Sequence, residues 1–288
     1  MKIIKKDRVI DSRDLRIPAY DRIKNFGSVS FKKTADLIDK IKSPDKEWEK
    51  TKVFIKDKEY VNFLKNITGS ETRDIVRYLK NFYEDSRFKK IFLENLKILE
   101  GTNNAWGDMR FHSLSLYVII RAVKPEIVIE TGVASGKSSS LILLALEHNA
   151  KGKLFSVDLP NYHKKVLADG AITSTGGHDT GWLVPDYLKK RWELVLGDSI
   201  KILPKLIKNV KKIDVFLHDS LHTYSHVKKE FAIIDNKISN EGIVLCDNID
   251  LGAGKAFNEF LKKKKLFGYA YRNFAVAQLK APPKKTKI

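Results

Sequence analysis

The amino-acid sequence predicts an α/β protein, a doubly wound and mostly parallel seven-stranded sheet preceded by a helical region. Three observations carry that prediction. From residue 124 onward, short β-branched runs alternate with longer amphipathic segments, the pattern of a parallel sheet wrapped by helices. Residues 1–100 lack strong strand alternation and show helix signals instead. The 288 residues, 43% hydrophobic and 31% charged, are enough to bury a core, and they exclude collagen-like, wholly disordered and disulfide-scaffold chains.

The elements follow in chain order. Ser43, Pro44, Asp45 and Glu47 combine a cap, an N1 proline and early acids, and Ser70-Glu71-Thr72 opens Ile75, Val76, Leu79 and Phe82 at helical spacing. Residues 1–100 are therefore expected to form a helical appendage that covers the active site or mediates dimerisation. Strands are expected at 126–130, 153–157, 192–196, 213–217 and 242–246, with helices at 137–149, 199–210, 224–238 and 253–265. Residues 269–272 and 274–279 close the sheet as an antiparallel hairpin. The main domain is thus 101–281, followed by a basic tail at 282–288. The stretch 160–191 is long for a crossover and reads equally well as a ligand-contacting loop or as a surface insert.

The net charge of +19 raises nucleic acid as a partner. Its distribution argues the other way: the excess is +8 over residues 1–100, +1 over 101–200 and +10 over 201–288. Much of it lies in lysine tracts such as 262–265 and Lys284, Lys285 and Lys287, which read as solvated faces and ends. Nucleic acid therefore stays an unfavoured partner. The longest aliphatic run, 141–146, is far short of the ~20 residues that span a bilayer, and residues 1–14 hold no apolar signal core, so a cytoplasmic protein without a membrane partner is expected. A single cysteine, Cys246, sits among apolar neighbours and reads as a buried, inert thiol.

Chemistry concentrates at strand ends. The first predicted strand runs into Glu130-Thr131-Gly132-Val133-Ala134-Ser135-Gly136-Lys137-Ser138, where glycines allow close backbone approach and a helix N-terminus favours negative charge. Three ligand readings compete with a purely conformational one. A phosphate loop would use Gly136-Lys137-Ser138, but Thr131 stands where its first glycine belongs. A nicotinamide dinucleotide turn needs Gly-x-Gly-x-x-Gly, which is not met. An S-adenosylmethionine pocket needs an acid before the turn and another ending the second strand to accept ribose hydroxyls; Glu130 and Asp158 stand there.

At these residues the chain resembles the class I S-adenosylmethionine-dependent methyltransferases of Rossmann-like fold, over about residues 106–279. Further segments, Gly181-Trp182-Leu183-Val184-Pro185, Leu196-Gly197-Asp198-Ser199, His218-Asp219-Ser220-Leu221-His222-Thr223-Tyr224 and Asp247-Asn248, are similar to a small-molecule subfamily that includes macrolide and sugar O-methyltransferases. The resemblance implies a cofactor site of Glu130, Gly132, Ser135, Gly136, Asp158, Asp198 and Ser199, although Asp198 reads equally as a helix cap. It further implies Mg²⁺ or another divalent ion on Asp219, Asp247 and Asn248, hard oxygen donors at neighbouring strand ends. His222, three residues after Asp219, is the implied general base, its ordinary pKa near 6.5 suiting proton removal at neutral pH. Ser220-Leu221 replaces the glycine-acid pair usual in sugar-directed relatives. The implied reaction is O-methylation of a small hydroxylated acceptor. An RNA-directed methyltransferase, a non-catalytic cofactor or RNA binder, and a P-loop nucleotide hydrolase using Lys137 and Asp219 are the alternatives. His226 is read as a helix-surface residue.

Overall fold

A computed structural model of the chain describes residues 2–5, 8–11, 48, 52–97, 111–160, 165–166, 172–173 and 178–278. At its centre lies a nine-stranded sheet of β1 (Lys2–Lys5), β2 (Arg8–Asp11), β3 (Ile127–Thr131), β4 (Lys153–Asp158), β5 (Trp192–Leu196), β6 (Ile213–His218), β7 (Ile238–Cys246), β8 (Phe267–Tyr271) and β9 (Phe274–Gln278). Their spatial order is β2-β1-β8-β9-β7-β6-β3-β4-β5. Strands β3 to β7 are mutually parallel, and β9 runs antiparallel between β7 and β8. Seven strands are those the sequence predicts. The other two form a hairpin whose first strand pairs parallel with β8, inside the region expected to be helical. Four residues each are too few for alternation to reveal them.

Eight helices are described: α1 (Lys58–Thr68), α2 (Thr72–Glu84), α3 (Ser86–Lys97), α4 (Phe111–Val123), α5 (Lys137–His148), α6 (Ser199–Leu206), α7 (Tyr224–Ile234) and α8 (Gly252–Lys264). Helix α1 begins where the Asp57 carboxylate accepts the Tyr60 N–H at 3.1 Å, and it ends at Gly69 in the left-handed conformation. Helix α4 is absent from the sequence prediction for a physical reason. Leu114, Leu116, Tyr117, Val118, Ile119 and Ile120 are all buried, so the segment has no polar face to mark a helical period. Helix α7 stops at Ile234, earlier than predicted, and the following strand begins at Ile238 rather than at 242. The predicted helix start at 43–47, the tail 282–288 and most of 160–177 lie outside the described residues.

Two apolar cores flank the sheet. Val128, Val215, Leu217 and Leu245 face the side that carries α1 to α5, while the alternate residues Ile129, Phe216 and Val244 face α6 to α8. Burial on both faces explains why these strands read as unbroken apolar runs. Helices α1 to α3 share the first core: the Tyr60 ring packs on Tyr271 of β8 at 5.6 Å, and the Ser115 hydroxyl donates to Tyr60 Oη at 3.1 Å. Among the described residues no helix is long and apolar enough to cross a membrane.

This topology positions the site. Because β3 to β7 run in one direction, Thr131, Asp158, Leu196, His218 and Cys246 end on a single edge. The chain proceeds outward from β3 to β4 and β5, then returns to β6 on the other side of β3. Such a reversal opens a crevice beyond the strand ends, where doubly wound sheets bind ligands.

Candidate functional site

The turn after β3 is built on backbone close approach. Gly132 has φ of 86°, and a Cβ there would lie 1.9 Å from the Asp219 carbonyl oxygen, so only glycine lets the turn sit against the end of β6. Gly136 has φ of 88° and abuts the Gly181 Cα, which a Cβ would meet at 2.8 Å. The segment 181–184 crosses the turn: Gly181 N–H donates to the Ala134 carbonyl and Leu183 N–H to that of Ser135, both at 2.8 Å. Ser135 and Gly136 therefore lie beneath the Gly-Trp-Leu-Val segment, and Ser135 is buried.

Asp158 braces this turn. One carboxylate oxygen accepts the N–H groups of Val133 and Ala134 at 2.9 and 2.7 Å, and the other accepts that of Leu159 at 2.7 Å. Burial raises its pKa while the three N–H donors oppose the rise. Glu130, expected near the methionine end of a cofactor, is entirely buried beneath the turn. It accepts the hydroxyls of Ser138, Ser139 and Ser156 at 2.5, 2.6 and 2.8 Å, and desolvation pushes its pKa up to about 7. A phosphate cradle is not available here. The turn N–H groups of Val133 and Ala134 are committed to Asp158, and the Ser138 hydroxyl, which a P-loop would turn toward a metal, points to Glu130.

Along the edge, Gly197 N–H donates to the Asp158 carbonyl at 2.7 Å, tying the ends of β4 and β5 together. Asp198 caps α6 by accepting the Ile200 N–H at 3.0 Å. Ser199 is buried and turned inward, donating to Glu230 at 2.5 Å.

On the other side of β3 the predicted metal and base residues converge. Asp219 N–H donates to the Thr131 carbonyl at 2.8 Å, and Asp247 N–H to that of His218 at 3.0 Å, so the two aspartates sit at adjoining strand ends. Their carboxyl groups are within hydrogen-bonding reach of each other. Desolvation first, then Asp247 and Glu130, hold the Asp219 pKa well above the usual carboxylate range, with Lys137 opposing. His222, nearly buried, places Nε2 3.9 Å from Asp219 Oδ1 and 3.0 Å from Asn248 Nδ2. Asn248 is held in the left-handed region with φ of 50°. Among the described residues no three His, Cys, Asp or Glu side chains form a ready metal cage. The predicted set has two carboxylates only, its third oxygen being the Asn248 carboxamide. The donors nevertheless fit a hard divalent cation, because two desolvated carboxyl groups in contact call for either a shared proton or a positive charge between them.

A third cluster escaped sequence reasoning. Glu230 of α7, fully buried, accepts from Thr131 Oγ1 at 2.9 Å, Ser199 Oγ at 2.5 Å and Ser220 Oγ at 2.9 Å, with His218 Nδ1 at 2.7 Å and His226 Nε2 at 3.0 Å. His226 is therefore drawn into this network rather than left on the helix surface. The available signal was a carboxylate on the apolar face of α7, in helical step with Val227, Phe231 and Ile234. Tyr224 turns outward to Glu259 and Lys228, and the Trp182 ring lies 4.7 Å from that of His178.

Residues 129–249 match the family described as a methyltransferase domain. No curated protein matches the chain. Solved structures with similar folds include methyltransferase PaMTH1 of Podospora anserina with S-adenosylhomocysteine bound, at 14% identity, TM-score 0.47, covering 66% of this chain and 88% of that one. The O-methyltransferase TomG of Streptomyces achromogenes, involved in tomaymycin synthesis and in complex with S-adenosylmethionine, aligns at 16% identity and TM-score 0.48, covering 68% and 90%. An O-methyltransferase of Bacillus cereus, in complex with S-adenosylhomocysteine, aligns at 13% identity and TM-score 0.46, covering 68% and 91%.

Proposed function

Residues 129–249 constitute a methyltransferase domain, and on that premise we propose that the enzyme transfers a methyl group from S-adenosylmethionine to a hydroxyl of a small molecule, of sugar or secondary-metabolite type, with a divalent cation assisting. The observation that carries this reading is the meeting, on one sheet edge, of a glycine turn braced by Asp158 with the Asp219–Asp247 pair and His222. The cofactor, when bound, supplies an electrophilic methyl on sulfur. A cation held by Asp219, Asp247 and Asn248 supplies charge that favours the deprotonated acceptor oxygen.

The remaining steps belong to the chain. Gly132 would form part of the floor for the cofactor, with Asp158 and Asp198 at the ends of β4 and β5 beside it, while Ser135 and Gly136, covered by the 181–184 segment, and Ser199, turned inward to Glu230, shape that floor from behind. His222 Nε2, 3.0 Å from Asn248 Nδ2, is the acceptor for the hydroxyl proton. Asp219 at 3.9 Å stabilises the imidazolium that results.

The test is calorimetric titration with S-adenosylmethionine and S-adenosylhomocysteine, with Mg²⁺ and again with chelator, followed by transfer of labelled methyl to hydroxylated acceptors and, in parallel, to RNA. Binding and Mg²⁺-dependent labelling of the small acceptors is the expected result. Label in RNA alone would replace the acceptor class. Absence of binding to either ligand would remove the reading altogether.

A further inference from the structure

We infer that a cavity beside the turn between β8 and β9 is a subsite for the far end of the methyl acceptor, and that this acceptor is an uncharged, hydroxyl-rich molecule of at least two linked rings, a glycoside rather than a single sugar. The inference rests on the reading of the Asp219–Asp247 edge as the place of methyl transfer. The cavity, of about 460 Å³, is lined among the described residues by Asp57, Lys58 and Glu59 at the start of α1 and by Tyr271 and Arg272 at the end of β8. None of these belongs to the cofactor or cation set. Register places the cavity relative to the chemistry. Ala270 pairs with Ala275 and Ala275 with Cys246, so Tyr271 and Asp247 each stand one residue beyond a single line across β8, β9 and β7. Strand β8 runs parallel to β7, which puts both residues on the same sheet edge, two strand spacings or about 10 Å apart. The turn between them is tied to that edge: the Asn273 carbonyl accepts the Ile249 N–H at 2.9 Å, and the carboxamides of Asn273 and Asn248 meet at 2.8 Å. One sugar ring does not bridge such an interval, whereas two linked rings do.

Part of the lining is fixed before any ligand arrives. Through its two carboxylate oxygens Asp57 accepts the Tyr60 N–H at 3.1 Å and the Tyr271 hydroxyl at 3.0 Å. The Tyr271 ring is buried against those of Tyr60 and Phe63, both at 5.6 Å, and the Arg272 guanidinium lies 5.5 Å from its centroid. Groups already held in place lower the ordering cost of binding. The charges then select the ligand class. Asp57 and Glu59 oppose a phosphate or carboxylate, and Lys58 and Arg272 oppose a cation. A hydroxyl group both donates and accepts, so it meets no like charge here. Neighbouring ring hydroxyls also match the paired oxygens of a carboxylate and the paired N–H groups of a guanidinium.

The test is saturation-transfer NMR on the full chain with the methyl glycosides of glucose, galactose and mannose, the methyl glycosides of cellobiose, lactose and mannobiose, and glucose 6-phosphate and glucosamine as charged probes. Expected is binding of a two-ring glycoside about tenfold tighter than of its one-ring counterpart, with no gain from either charge. The double variant Arg272→Asn, Glu59→Gln should lose most of that two-ring advantage while S-adenosylhomocysteine affinity stays within about twofold of the parent. Asn tolerates the φ of 54° that Arg272 holds, so the turn is kept and the thermal midpoint should not fall. Equal affinity for one and two rings in the parent overturns the inference, a comparison that needs no variant to fold. So do absence of binding by every glycoside, tighter binding of either charged probe than of methyl glucoside, and a two-ring advantage that survives in the double variant. Failure of the parent to bind S-adenosylhomocysteine would instead overturn the functional reading, and the glycoside comparison would still report what the cavity holds.

Discussion

His218 Nδ1 lies 2.7 Å from Glu230 Oε2, and both side chains are wholly buried at the end of β6. The pair joins α7 to the strand end, while Ser199 brings in α6 and Thr131 brings in β3. Four elements that converge on the crevice are thus tied through one carboxylate. Its pKa is held far below the usual range by His218 and His226 despite the opposing effect of burial. Glu230→Ala strands the buried His218, the half-buried His226 and three hydroxyls, and loss of one partner from such a site costs about 3–5 kcal/mol. Glu230→Gln keeps the shape without the charge. Because the folded pKa lies below the unfolded value near 4.5, the charge stabilises above that pH and its contribution fades as pH falls through the acid range. Urea unfolding should therefore show a parent-minus-Gln difference that is largest at neutral pH and shrinks below pH ~4.5. A difference that grows on acidification would refute the assignment.

Gly132→Ala should uncouple the two halves of the site. The new methyl group would sit 1.9 Å from the Asp219 carbonyl oxygen, and φ is 86°, so strain and collision act together. Left-handed backbone alone costs about 1–2 kcal/mol for a residue with a Cβ. The collision adds to this by forcing β3 and β6 apart, which moves the turn relative to Asp219. Expected are a lowered thermal midpoint and loss of S-adenosylhomocysteine binding. Gly69→Ala, whose methyl meets nothing within 4 Å, serves as the control at a similar φ of 67° and should lose stability but retain binding.

The Asp219–Asp247 contact predicts a trade of stability against function. A carboxyl pKa raised on folding means that ionisation above pH ~3.8 destabilises the metal-free protein. Asp219→Asn removes one like charge and should raise the thermal midpoint in chelator, by roughly 2 °C for each kcal/mol of repulsion relieved. Mg²⁺ should stabilise the parent and leave the variant unmoved. Scanning calorimetry with and without Mg²⁺ decides it; equal responses in both proteins would exclude cation binding at this pair.

How much of this was legible beforehand follows the range of the interactions. Strand ends announced themselves through β-branched runs terminating at Thr131, Asp158, Asp219 and Asp247, so the sheet and its functional edge were readable. Helix α4 was not, because burial on all sides erases periodicity. Asp198 carries its capping role openly, standing immediately before the first residue of α6. Apart from His226, one helical turn before Glu230, the partners of Glu130 and Glu230 stand 8 to 99 residues away in sequence, and the link from Asn273 to Asn248 spans 25. Only the folded register brings such pairs together, and hydrogen-bonding side chains in turns look alike until then.

Glu130 makes the last prediction, for pH. It lies under the glycine turn with three serine hydroxyls as its polar company, and burial raises its pKa from 4.5 to about 7. Between those values the folded protein holds a proton that the unfolded chain has released, so stability falls as pH rises through this window, by an amount on the order of 3 kcal/mol for this group alone. Glu130→Gln cannot ionise. Its unfolding free energy should lose that slope, so that the parent is favoured relative to the variant at pH 5 and loses the advantage by pH 8. Ser138 and Ser139 open α5 directly behind the turn, so charging Glu130 should also tighten their hydroxyl bonds and stiffen the turn. S-adenosylhomocysteine affinity measured across the same range should then rise in the parent and stay flat in Glu130→Gln. Parallel pH profiles for stability in the two proteins would show that Glu130 does not titrate in this window.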